Sequence, residues 1–360
     1  MRKWEENVRK VTPYTPGEQP KLESMIKLNT NENPYPPAPG VEKVLRSFDV
    51  NRLRMYPDPL VNDLRSAIAK RYGMTVDQTF VGVGSDDVIA MLFMTFFNSK
   101  KPILFPDITY SFYDVWADML RIPYEQIPLD EQFQLHPQDY CRDNGGIIFP
   151  NPNAPTGELL PLSAVEQIVQ ANPDVVVIVD EAYIDFGGES AIGLIEKYDN
   201  IIVVQTFSKS RSLAGSRIGY CFGNPTLIKY LNDVKYSFNS YTMDALTIAL
   251  GTAAVNDEDY FAQTTAKIIQ TREWTKTQLK RLGFVFGDSM SNFIFATHPK
   301  IDNIALFEAL PRDPAGPPRR RRGSDPEGGR AEAGPAGLVP RHEQERQPLH
   351  DPARGRRGLP

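Results

Sequence analysis

The chain has 360 residues, of which 41% are hydrophobic, 10% aromatic and 24% charged, and it carries a net charge of -5. That length and apolar content suffice for a large core divided between two domains, and the mild acidity gives no electrostatic reason to expect nucleic acid or an anionic membrane as partner. Cys141 and Cys221 are too few for a disulfide framework, and four scattered histidines lack metal-ligand spacing, so no metal is expected.

The N-terminal MRKWEENVRK is charged and lacks the apolar stretch of a secretory signal. The longest apolar run, Val88 to Phe97, is too short to span a bilayer. A cytoplasmic protein is expected. NTNENPYPPAPG, residues 29–40, holds five prolines or glycines and predicts an extended arm over residues 1–45, ordered only by docking. From about residue 60, helical patterns alternate with short apolar strands: VNDLRSAIAKRYG is helical, TFVGVG a strand, DDVIAMLFMTFF a buried helix. Strands then recur as PILF, GIIF, VVVIV and IIVVQ. Strands apolar on both faces and separated by helices predict an α/β fold with a mainly parallel sheet covered on both sides, over residues 46–270. A helix at TREWTKTQLKRLG and strands at FVFGD and SNFIFATH predict a smaller α+β domain over 271–310. Residues 311–360 hold ten prolines, eight glycines and eleven arginines without one lysine or aromatic residue. Such a segment cannot offset its ordering entropy, and a disordered tail is expected.

Three strands run into unusual polar residues. VVVIV leads into Asp180, Glu181, Ala182 and Tyr183; IIVVQTF leads into Ser208 and Lys209; GIIF leads into PNPNAPTG. A parallel sheet would deliver all three to one edge, where ligands of such sheets bind. A lysine in a partly desolvated crevice has a lowered pKa and becomes a nucleophile toward an aldehyde. A carboxylate at a strand end is costly unless paired, and a protonated pyridine nitrogen would pair Asp180. Pyridoxal 5'-phosphate supplies both the aldehyde and the nitrogen. Its phosphate would meet the free N–H groups of Gly84, Ser85 and Asp86 at a glycine turn opening a helix, with Ser208 and Arg217 adding a hydroxyl and a guanidinium. Asp86 is expected to offer its N–H and to cap the helix, because its carboxylate would repel phosphate. Each feature is common alone. Their joint occurrence on successive strand ends is not.

TFSKSRSLAGSRIGY with Lys209 and Arg217, VVIVDEAYIDF, NPNAPTG, YPDP and LNTNENPYPP resemble the class II aminotransferases of the fold type I pyridoxal-phosphate enzymes, and within them the histidinol-phosphate aminotransferases. The resemblance covers about residues 10–310. It implies that Lys209 binds the cofactor and moves the substrate's proton, that Asp180 keeps the ring nitrogen protonated, that Tyr183 bonds the phenolic oxygen and that Tyr110 stacks on the ring. Tyr56 would reach the phosphate of a neighbouring subunit, implying a homodimer; Tyr14 and Asn33 would close over the substrate. The implied substrates are a phosphorylated amino alcohol and glutamate or 2-oxoglutarate. A decarboxylase of a phosphorylated amino acid, or a non-catalytic cofactor-binding relic, shares these motifs. Two departures stand out. Ala154 replaces the asparagine usual before PTG, leaving Asn153 beside it as candidate. From Pro311 no segment resembles the family's carboxylate-gripping arginine strand, which predicts weakened amino-acid binding and marks residues 311–360 as foreign or frameshifted sequence.

Overall fold

The computed structural model describes residues 2–14 and 27–309. The predicted tail, and with it the missing arginine segment, lies outside the described residues. After α1 (Pro39–Ser47) and α2 (Asn62–Tyr72) the chain alternates through β1 (Thr79–Gly82), α3 (Ser85–Phe96), β2 (Ile103–Pro106), α4 (Tyr113–Leu120), β3 (Tyr124–Ile127), β4 (Ile147–Pro150), α5 (Leu162–Ala171), β5 (Val177–Asp180), β6 (Ile201–Thr206) and β7 (Gly219–Gly223). It continues through α6 (Pro225–Phe238), α7 (Ala245–Val255), α8 (Glu258–Arg281), the pair β8 (Val285–Phe286) and β9 (Ala296–Thr297), and α9 (Asn303–Ala309).

The main sheet runs β1-β7-β6-β5-β4-β2-β3. β7 is antiparallel to both neighbours and the remaining pairs are parallel. Alternation along each strand explains why it must be covered twice. Ile147, Phe149, Val177, Val179, Ile201 and Val203 join a core with α1, α2, α5 and α7. Their sequence neighbours Ile148, Ile178, Ile202 and Val204 join a second core with α3, α4 and α6 on the opposite face. Both faces are therefore apolar, as the continuous hydrophobic runs require.

Two strands have no counterpart in the sequence reading. β3 is a polar edge strand whose Tyr124, Glu125 and Gln126 stay exposed, and β7, GYCFG, is bracketed by glycines. Neither carries an apolar run long enough to stand out. The strand predicted over FVFGD and SNFIFATH shrinks to two paired residues on each side. The helix predicted from residue 271 is the second half of the 24-residue α8, which crosses the expected boundary near residue 270. Arg272 of α8, itself buried, donates from Nη1 to the Phe186 carbonyl at 2.9 Å and the Ser291 carbonyl at 3.0 Å, fastening residues 289–293 to the sheet's edge.

Gly219 starts β7 directly beneath the turn between β1 and α3. A Cβ there would lie 2.2 Å from the Gly84 carbonyl carbon and 2.3 Å from the Ser85 nitrogen, both backbone atoms. Gly219→Ala is expected to destabilise the fold by about 2–4 kcal/mol through forced backbone displacement. Urea unfolding checks this; an unchanged midpoint and slope would show that the turn is free to move.

Candidate active site

β4, β5 and β6 are immediate neighbours, and their carboxyl ends lie side by side, with Asp180 in register between Pro150 and Val204. β1 runs the same way as β6, since both are antiparallel to the strand between them, so its glycine turn reaches the same edge. The topology thus brings together the residues that the three motifs and the GVGSDD turn present.

Asp180 is buried at the end of β5. Tyr113 donates its hydroxyl to Oδ2 at 2.9 Å and the Ala182 N–H reaches Oδ1 at 3.2 Å. Burial pushes its pKa up to about 6, while those hydrogen bonds and the nearby Lys209 hold it down. Lys209 is half-buried two residues beyond Phe207, and its Nζ donates to the Thr30 carbonyl at 2.6 Å. Desolvation draws its pKa down to about 8, against the attraction of Asp86 and Glu32. Its Nζ lies 5.5 Å from the Tyr183 ring centre. Tyr183 accepts from Asn31 Nδ2 at 3.1 Å, packs edge-on against Phe293, and is pushed up to about 12 by burial.

Gly84, the residue just before α3, has φ +91°. The Arg217 guanidinium lies so close that a Cβ on Gly84 would sit 2.5 Å from Nη2. Asp86 departs from expectation. Its carboxylate does engage side chains, accepting from the Tyr110 hydroxyl at 2.7 Å and pairing with Arg217 Nη2 at 3.0 Å. The helix-capping role expected of Asp86 is not seen: α3 has no side-chain cap, and the neighbouring Asp87 accepts through Oδ2 from the Val83 N–H at 2.9 Å, in the turn before the helix. Ser208 is buried within 3.0 Å of the Thr206 hydroxyl. The N-terminal N–H groups of a twelve-residue helix, a serine hydroxyl and a guanidinium are groups that could hold an anion. The buried acid and the lowered-pKa amine lie at the ends of adjoining strands. This donor set fits pyridoxal phosphate.

Asn33 is engaged by the backbone around Lys209. Its Nδ2 donates to the carbonyls of Lys209 at 2.9 Å and Ser210 at 3.2 Å, and its Oδ1 accepts from the Tyr35 N–H, so the whole amide serves the backbone. Asn153 Nδ2 donates to Ile108 O and Thr156 Oγ1, bracing the loop that carries Tyr110, while its buried Oδ1 has no protein partner. Tyr14 stacks on Phe112 at 4.2 Å, one ring away from Tyr110. Tyr56 is 83% exposed and packs against Tyr241. Sequence reading missed Tyr113 and Asn31. Tyr113 closes the YSFY run that Tyr110 opens, an aromatic cluster that could have flagged it; Asn31 carried no signal apart from its proline-rich surroundings. Among the described residues no group of three or more His, Cys, Asp or Glu is placed to hold a metal ion, and no helix is long and apolar enough to cross a membrane.

A sheet edge that presents a partly desolvated lysine beside a buried acid defines a carbonyl-chemistry site on a doubly covered α/β fold. The profile described as aminotransferase class I and II matches residues 23–311, and the chain belongs to that family. It is 52% identical over 307 residues to the histidinol-phosphate aminotransferase of Lactococcus lactis subsp. cremoris, covering 85% of this chain and 86% of that protein. It is 53% identical over 311 residues to histidinol-phosphate aminotransferase 2 of Dechloromonas aromatica, covering 85% and 87%. The crystal structure of histidinol-phosphate aminotransferase from Clostridium acetobutylicum superposes with a TM-score of 0.71 at 22% identity, over 78% of this chain and 85% of that one. The Sinorhizobium meliloti enzyme, in complex with pyridoxal-5'-phosphate, superposes with a TM-score of 0.70 at 24% identity, over 75% of each chain.

Asp180 and Lys209 give opposite pH signatures in the cofactor-free protein. Asp180, raised from 3.8 to about 6, binds its proton more tightly when folded, so its contribution is present below pH 3.8 and is lost as pH rises through 6. Lys209, lowered from 10.5 to about 8, binds its proton less tightly when folded, so stability is regained as pH rises from 8 to 10.5. Lys209→Met should therefore be roughly 1–3 kcal/mol more stable than the parent at pH 7 and lose that advantage above pH 10.5. Chemical denaturation across pH checks it; equal stability at pH 7 would mean a well-solvated ammonium.

Proposed function

We propose that this chain is a pyridoxal-phosphate-dependent aminotransferase exchanging the amino group between L-histidinol phosphate and 2-oxoglutarate, in histidine biosynthesis. The observation that carries the chemistry is the placement of Lys209 and Asp180 at the ends of adjoining strands, opposite the Gly84 turn and Arg217. The choice of substrate rests on relatives above half identity over 85% of the chain.

Each residue has a task. Ser85 and Asp86 would offer backbone N–H groups to the phosphate, with Gly84 shaping the turn while its own N–H donates to the Gly82 carbonyl at 3.0 Å; the Ser208 hydroxyl and Arg217 would join them, Arg217 exchanging the Asp86 carboxylate for the stronger dianion. The Tyr110 ring would pack on the pyridine face. Asp180 would carry its charge against the ring nitrogen, a partner that relieves the penalty now raising its pKa. Tyr183 would donate to the phenolic oxygen, with Asn31 behind it. Asn153 would support the Tyr110 loop from below. When bound, the cofactor supplies an aldehyde and an electron-withdrawing ring that accepts the carbanion's electrons. Lys209, with a pKa near 8, has an appreciable neutral fraction at physiological pH, as a nucleophile and then a proton carrier must. Tyr14 would cover the site from the arm.

The working unit we propose is a cytoplasmic homodimer in which Tyr56 reaches the partner's phosphate. Tyr56 is exposed amid Val50, Leu53, Met55, Phe238 and Tyr241, an apolar surface suited to a second copy.

With cofactor supplied, L-histidinol phosphate should bleach the visible absorbance of the protein, and 2-oxoglutarate should restore it while glutamate accumulates. Lys209→Ala is expected to lower turnover at least about 10³-fold. Carbon dioxide release from threonine phosphate, with no response to histidinol phosphate, would replace this reading with a decarboxylase. Separately, mixing Lys209→Ala with Tyr56→Ala chains should recover activity through hybrids that hold one intact site; no recovery would count against the shared site.

A further inference from the structure

DEAYIDF carries three acidic residues, and the proposed chemistry uses only Asp180. Asp185, the last of them, accepts from the Ser210 hydroxyl at 2.5 Å. Ser210 follows Lys209 directly and is 3% exposed. Desolvation raises the Asp185 pKa, opposed by that hydrogen bond and by the charges of Arg211 and Arg71, with Glu258 acting the other way. Arg211 is itself buried, packs over the Phe261 ring at 4.2 Å and donates to the Ala254 carbonyl at 3.1 Å. Arg71 and Arg211 both pair with Glu258.

These contacts act on a small closed loop. The Leu213 N–H returns to the Phe207 carbonyl at 3.1 Å, and Ser212 takes the left-handed conformation at φ +58°, so residues 207–213 turn tightly with Lys209 near the tip. The Lys209 amine lies five bonds beyond its Cα, and the direction in which that stem starts is set by the loop backbone. Asn33 holds the carbonyls of Lys209 and Ser210 from one side, and Asp185 holds the Ser210 side chain from the other. We infer that Asp185 is a positioning residue: through Ser210 it sets the direction in which the Lys209 side chain leaves the loop, and so governs attachment of an aldehyde to that amine. The inference rests on Lys209 being the attachment point, and Asp185 itself touches neither cofactor nor substrate.

A comparison of two cofactor forms isolates this role. The aldehyde of pyridoxal phosphate can condense with the Lys209 amine, forming a C=N bond and releasing the aldehyde oxygen as water, whereas pyridoxamine phosphate has no aldehyde and only occupies the cradle. Asp185→Ala and Ser210→Ala should each weaken pyridoxal phosphate binding by about ten-fold, with pyridoxamine phosphate changed less than about two-fold, and the double variant should be no worse than either alone. Equal loss for both forms, or loss for neither, would overturn the inference. If Asp185→Ala does not fold, Ser210→Ala decides alone. The wild-type chain, trapped with borohydride and mapped to Lys209, is the reference: an absent adduct there would overturn the assignment of Lys209 and this inference with it, whereas an adduct with unaltered variants would overturn only the role of Asp185.

Discussion

The architecture of the site depends on one electrostatic imbalance: an acid and an amine held at the ends of adjoining apolar strands, each kept from full hydration. Among the described residues Asp180 meets two hydrogen-bond donors and no directly bonded cation, and its pKa climbs to about 6. Lys209 meets a neutral carbonyl, and its pKa falls to about 8. A direct ion pair between them would have moved both values the other way. Leaving each without its natural partner costs stability and leaves a place for a ligand that supplies both, a cationic ring nitrogen for the acid and an aldehyde for the amine.

Everything around that pair restricts motion. Tyr113 and the Ala182 N–H fix the carboxylate, Asn33 and Ser210 fix the loop that carries the amine, and the arm residues 30–33 reach over the sheet edge to touch Lys209 and Tyr183. Thr30 and Asn31 both adopt positive φ to do so, at 64° and 54°. For a β-branched residue that conformation is costly and persists only where the surroundings hold it. Asn292 contributes by donating to the Asn31 carbonyl at 3.0 Å, so the segment after α8 helps to seat the arm.

The anion cradle follows the same logic with an internal stand-in. Arg217 pairs with Asp86, and Tyr110 donates to the same carboxylate. The expectation that Asp86 would keep its side chain out of the cradle came from the repulsion between carboxylate and phosphate. That repulsion is real only when phosphate is present; in the protein alone the guanidinium takes the nearest anion. The pairing is half-exposed and therefore weak enough to exchange.

The residue pattern by itself determined the strands β1, β2, β4, β5 and β6, because short continuous apolar runs have no stable place outside a doubly covered sheet. It also determined the motif residues at their ends, since an amine or acid directly after such a run must emerge at a sheet edge. Strands β3 and β7 escaped notice because one is polar and exposed and the other is bounded by glycines. What only the tertiary structure decided are the partners. Lys209 meets Thr30 across 179 residues, Arg217 meets Asp86 across 131, and Asp180 meets Tyr113 across 67. Such contacts depend on strand order and on how each loop is braced, and a local pattern of side chains carries no distance between segments so far apart along the chain.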